Sequence, residues 1–150
     1  MSWHEMTHYE LQAMRKLLML DVKEAADCIG RCSARTWQRW ENGDNKVPSD
    51  VETEIYGLIG NRNLVIGKMI DIEIEPVSIK FYKTIDGFLA DYPESNLVSW
   101  RLHQSIVAYL FAEGGDIELN EATKTDKNSY LFKFFSKTRK EDIEFIKQIV

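Results

Sequence analysis

Arg35, Gln38 and Arg39 fall three and four positions apart in ARTWQRWENG, so a helix through this stretch carries all three on one side. Trp37 and Trp40 then share the inner face, and Ala34 joins Arg35, Gln38 and Arg39 in pointing away from it. An arginine near the start of a helix that enters the major groove can donate to O6 and N7 of one guanine. Such a contact discriminates by about 1 to 3 kcal/mol. Residues 21–48, DVKEAADCIGRCSARTWQRWENGDNKVP, read as two short helical patterns around the Gly30-Arg31-Cys32 turn, the layout of a helix-turn-helix. Solvated arginines are the ordinary alternative, but the surrounding pattern favours base or phosphate contact, and duplex DNA is the expected ligand.

The elements that must hold this face announce themselves by their caps. Thr7-x-x-Glu10 is a capping box followed by Leu11, Met14 and Leu18, predicting a first helix over 8–19 with Arg15 and Lys16 outside. Asp21-x-x-Glu24 repeats the signal, with Val22, Ala25, Ala26 and Ile29 as the apolar face and Gly30 as the stop. Ser33 caps a third helix closed by Glu41-Asn42-Gly43. Pro48-Ser49-Asp50-Val51-Glu52 opens a fourth that runs to about Ile70, weakened by Gly57, Gly60 and Gly67.

Composition narrows the classes. The chain has 150 residues, 44% of them hydrophobic, enough for a buried core. No apolar run reaches membrane-spanning length, and MSWHEMTHYE lacks the regions of a signal peptide, so a cytoplasmic protein with no membrane partner is expected. Two cysteines are too few for a disulfide scaffold and read as thiols. Cys28-x-x-x-Cys32 with His4 and His8 has no zinc-ligand spacing, no nucleophile-elbow signature occurs, and Gly114-Gly115 lacks the setting of a phosphate loop. We therefore expect no metal, no cofactor and no enzyme. The net charge of −5 opposes a polyanion at long range. Its acid excess lies mostly after residue 70, whereas within 31–46 Arg31, Arg35, Arg39 and Lys46 outnumber Glu41 and Asp44. Modest non-specific affinity and reliance on base contacts follow.

The second half reads as α+β. Asp71-Ile-Glu-Ile-Glu-Pro76 is a linker or edge strand, and Val77 to Tyr82 alternate as a strand. Thr84 caps a helix that ends at Pro93. Leu97 onward is ambiguous until Gln104–Ala112, a helix with Val107, Leu110 and Phe111 inward and His103 at the surface or partly buried. Ile117 and Leu119 point to a strand, Tyr130–Phe135 to another, and Thr138-x-x-Glu141 caps a last helix. Trp3 and Trp100 read as packing anchors. The fold class is thus mainly α, α+β overall. Residues 1–70 form a helix-turn-helix domain of four to five helices, and residues 77–150 a small α+β domain whose excess of aromatics points to dimerisation.

Ala26-x-x-x-Gly30, Ser33-x-x-Thr36, Arg39-x-Glu41-Asn42-Gly43 and Pro48 resemble the Cro/repressor type of helix-turn-helix. More narrowly, LQAMRKLLMLDVKEAADCIGRCSARTWQRWENG, then IKFY and LVSWRLHQSIVAYLFAEG, resembles the YdiL-like bacterial proteins and the anti-CRISPR-associated transcriptional regulators over about residues 7–114. The resemblance implies that Ser33 caps the recognition helix, that Ala34, Arg35 and Arg39 meet base edges with Gln38 beside them, and that Asn42 and Lys46 grip phosphate. Two departures stand out. The Gly30-Arg31-Cys32-Ser33 turn is one residue longer than usual, and Val22 stands where relatives carry a polar residue that bonds a phosphate, so that contact is either missing or supplied by Lys23. Arg31 completes the cationic face. The expected function is a sequence-specific DNA-binding regulator, a repressor or autoregulator, acting as a homodimer on an inverted repeat. The alternative is an antitoxin-like interaction module with autoregulatory DNA binding.

Overall fold

Thr7, Asp21 and Ser33 each accept a bond from the backbone N–H three residues on, and each begins a helix in the computed structural model: α1 (His8–Leu17), α2 (Val22–Ala25) and α3 (Ala34–Asn42). Such a cap is worth about 1 kcal/mol. At Thr7 and Asp21 the carboxylates of Glu10 and Glu24 return the bond, completing both expected boxes. Residues 4–71, 78–114 and 116–137 are described here. Trp3, residues 72–77 with most of the expected linker, and the helix expected after Thr138 lie outside them.

The first helix stops two residues before the expected end. Met19 takes a left-handed backbone (φ 62°), Leu20 N–H donates to Arg15 O at 3.2 Å and Met19 N–H to Lys16 O at 3.0 Å, a Schellman closure that glycine more often provides. The second helix ends at Gly30, as expected, but its last turn differs: α2 continues as a π turn over Ala26–Gly30, and the left-handed residue is Arg31 (φ 51°) rather than the glycine. Arg31 and Cys32 both donate to Ala26 O.

Gly30 is required for space. A Cβ there would lie 2.7 Å from Cys32 Sγ, 2.9 Å from Trp37 Cε3 and 3.1 Å from Trp40 Cζ3. The thiol can swing aside, but the rings are buried. Gly30→Ala should therefore cost about 1 to 3 kcal/mol through overpacking, read as a lowered melting temperature. An unchanged melting temperature would mean that the rings yield.

The fourth helix, α4 (Ser49–Asp71), is continuous over 23 residues in spite of its glycines. The chain divides into two compact units, Met1–Ile59 and Gly60–Val150, with the division inside α4. In the first, Leu11, Leu18, Ala25, Ala26, Ile29, Trp37, Val51 and Ile55 form the core.

In the second unit, strands β1 (Ser78–Lys80) and β2 (Glu118–Asn120) pair in parallel with Ile79 opposite Leu119. Thr84 caps α5 (Ile85–Asp91), as expected. The ambiguous stretch from Leu97 is helical from its first residue, because Asn96 Oδ1 accepts from Ser99 N–H and starts α6 (Leu97–Ala112). Residues Tyr130–Phe135, expected as a strand, are a helix, α7. Ser129 caps it, and Leu131, Phe134 and Phe135 are buried at helical spacing. The aromatic content had pointed to a strand; the cap and the packing override that preference.

Two further expectations fail in α6. Phe111 is 54% exposed, while Val107 and Leu110 turn inward. His103 is fully buried, with Tyr82, Phe88 and Phe135 at centroid distances of 5.1, 5.7 and 5.0 Å. Trp100 does anchor the packing, its Nε1–H donating to Tyr82 O at 2.8 Å. Beside this core, Asp91 Oδ2 accepts from Lys80 Nζ at 3.1 Å, Tyr82 OH at 2.7 Å and Thr125 Oγ1 at 3.0 Å. Among the described residues no helix is long and apolar enough to cross a membrane.

Candidate nucleic-acid interface

α3 is sharply two-faced. Trp37 is completely buried and Trp40 nearly so, their rings 5.5 Å apart. Arg35, Gln38, Arg39 and Asn42 are exposed, and Ala34 is half-buried. Ser33 keeps its capping role, bonding Thr36 through both the backbone N–H and Oγ1. The helix ends at Gly43 (φ 84°), where Gly43 N–H reaches Trp40 O and Asp44 N–H reaches Arg39 O. A Cβ at Gly43 would also crowd the His8 ring at 3.1 Å, so glycine serves both the backbone and the packing.

Behind the exposed face sits an ion pair that sequence reasoning missed. Arg15, expected outside, is buried: its Nε donates to Glu41 Oε2 at 2.6 Å, Nη2 to Glu41 Oε1 at 3.1 Å and Nη1 to Leu20 O at 3.0 Å. Trp37 Nε1–H donates to the same carboxylate. Burial pushes the Glu41 carboxyl up, but the bonds from Arg15, Trp37 and Gln12 outweigh it and hold the carboxyl below its ordinary range. The signal was present, since Arg15 stands four residues after Leu11 and three before Leu18, on the stripe that both bury. The clamp joins α1 to the C-terminal end of α3 and fixes the tilt of the exposed face.

The remaining candidate cations are engaged. Lys46 Nζ lies 2.7 Å from Glu5 Oε1, and that hydrogen bond raises its pKa. Arg31 Nη1 lies 3.5 Å from Glu54 Oε2, and Lys23 Nζ 3.6 Å from Asp27 Oδ2. Arg35 and Arg39 form no ion pair among the described residues. The structure thus groups Ala34, Arg35, Gln38 and Arg39 on one helical face and places Lys23, Arg31 and Lys46 in pairs on other elements. Cys28 and Cys32 are free and half-buried, and burial pushes both thiols up, the opposite of what a reactive thiol requires.

The sequence model of the Aca2/YdiL-like family matches residues 6–119. The chain belongs to this family. It is 49% identical over 112 residues, 73% of this chain and 96% of the relative, to the Aca2 repressor of Pectobacterium phage ZF40. It is 29% identical over 111 residues, 71% of this chain and 94% of the relative, to the uncharacterized protein YdiL of Escherichia coli strain K12. The expected resemblance is thereby borne out. The family match takes in the whole of α1–α6 and the strand pair up to Leu119, so α3 and the clamp behind it belong to the shared part, as do Tyr82, Phe88 and His103 of the second core, while Phe135 lies beyond it.

Proposed function

We propose that this protein is a sequence-specific DNA-binding regulator, a repressor or autoregulator, that works in the cytoplasm as a two-fold dimer on an inverted-repeat operator. The observation that carries the reading is the outer face of α3, where Arg35, Gln38 and Arg39 stand exposed over a buried tryptophan pair and a fixed ion pair. A rigid helix with two arginines one turn apart suits bidentate reading of guanine, and the phage relative that shares this region is a repressor. Ala34 and Ser33 meet the groove at the helix start, and Asn42, Lys23, Arg31 and Lys46 meet phosphates.

One recognition helix buries too little surface for tight binding, and motifs of this kind join two copies so that both helices enter successive grooves about 34 Å apart. The second unit is the place for the joint, and its exposed Ile70 and Phe111 support that reading. Light scattering on the full chain should give twice the mass of one chain. A monomer at micromolar concentration removes the dimer.

Fluorescence anisotropy with genomic fragments tests the DNA reading. Arg35→Ala and Arg39→Ala should each weaken specific binding by about 1 to 3 kcal/mol and relax preference at one base pair. Equal affinity of both variants and the wild type for the best site would take these residues out of the interface.

A further inference from the structure

Every cation proposed for the phosphate backbone already holds a carboxylate, while the two arginines proposed for base edges hold none among the described residues. Lys46 is paired with Glu5, Arg31 with Glu54 and Lys23 with Asp27, each on the surface of the first unit. We infer that Glu5, Glu54 and Asp27 stand in for DNA phosphates in the free protein and set how strongly it binds non-specific sequence. The inference rests on the DNA-binding reading above and adds three specificity-determining residues to it.

The geometry is plainest at Lys46. Its pair with Glu5 lies at a cleft of about 460 Å³ lined also by His8, Tyr9, Trp40 and Asn45. The cleft adjoins Gly43 at the C-terminal end of α3. Both partners are largely exposed, 72% and 76%, so the pair is weak and opens readily. A phosphate arriving at Lys46 replaces one anionic oxygen by another.

That exchange has a distinctive consequence for salt dependence. A free cation that meets a phosphate releases a counterion from DNA, and each such contact adds about 0.9 to the slope of log affinity against log salt. When the cation must first leave a carboxylate, the freed carboxylate takes up a cation from solution and the gain cancels. The three pairs therefore lower what backbone contacts contribute to binding, and selectivity rests the more on Arg35, Gln38 and Arg39. A chain with a net charge of −5 then gains little from random sequence.

The test uses the full chain and a short fluorescein-labelled duplex of mixed sequence, titrated at several salt concentrations. Glu5→Gln, Asp27→Asn and Glu54→Gln should each raise affinity about two- to fivefold at low salt and steepen the slope by about 0.9, with the triple variant near the sum. Glu94→Gln, an exposed position outside the first unit, makes the same charge change and should leave the slope alone. If wild type binds with its own salt dependence and the variants do not differ from it, or if Glu94→Gln acts equally, the inference fails and the DNA reading stands. If wild type binds no duplex at any salt, both fail.

Discussion

Arg15→Met should destabilise the first unit by about 3 to 5 kcal/mol, because it leaves the Glu41 carboxylate buried without its cation. Glu41 keeps only the bonds from Trp37 and Gln12, and burial then pushes its carboxyl toward the protonated form. Arg15 itself is 8% exposed and also ties Leu20 O to α1, so the loss reaches the closing turn of that helix. Chemical unfolding followed by tryptophan fluorescence reads this directly, since Trp37 touches the carboxylate. The double variant Arg15→Met, Glu41→Leu separates two causes. Replacing a whole buried pair by apolar groups is often close to neutral, so the double variant should be more stable than Arg15→Met alone. A double variant that is worse by the sum of two single losses would show independent packing contributions rather than a pair.

The same pair explains what could be read from the sequence. Caps were legible because they are local: Thr7, Asp21, Ser33, Thr84 and, for the family-matched region, the order of helices all follow from residues within one turn of each other. The exposed face of α3 was legible for the same reason, since Trp37 and Trp40 mark its inside. Arg15 is charged, which points outward, but Leu11 and Leu18 fix its direction inward. What pairs with it, 26 residues away, has no local signal at all. Tyr130–Phe135 failed differently: an aromatic-rich run suits a pleated surface, and only the bond from Phe132 N–H to Ser129 Oγ and the burial of Leu131, Phe134 and Phe135 decide for a helix. The ion pairs of Lys23, Arg31 and Lys46 were also invisible for two of the three, since only Lys23 and Asp27 are four residues apart.

His103 makes the second unit acid-sensitive in a window of its own. Burial holds its imidazole neutral and lowers its pKa from 6.5 to about 3, and among the described residues the rings of Tyr82, Phe88, Tyr92 and Phe135 face it rather than a charge. Above pH 6.5 the group is neutral folded and unfolded, and contributes no pH dependence. As pH falls below 6.5 the unfolded chain takes up a proton that the folded chain refuses, so stability drops by about 1.4 kcal/mol per pH unit. The drop ends near pH 3, for a full loss of about 5 kcal/mol. The carboxylates of Asp91 and Glu41 sit below their ordinary values, so their stabilisation is present above the ordinary carboxylate range and begins to fail only as pH falls into it. Between pH 6.5 and about 4.5 the slope attributable to a buried, lowered group belongs to His103. Urea unfolding at a series of pH values should show this slope in wild type and lose about one proton's worth of it in His103→Leu. A variant with the same slope as wild type would mean that the imidazole is protonated in the folded state, which the ring cage could not hold without opening.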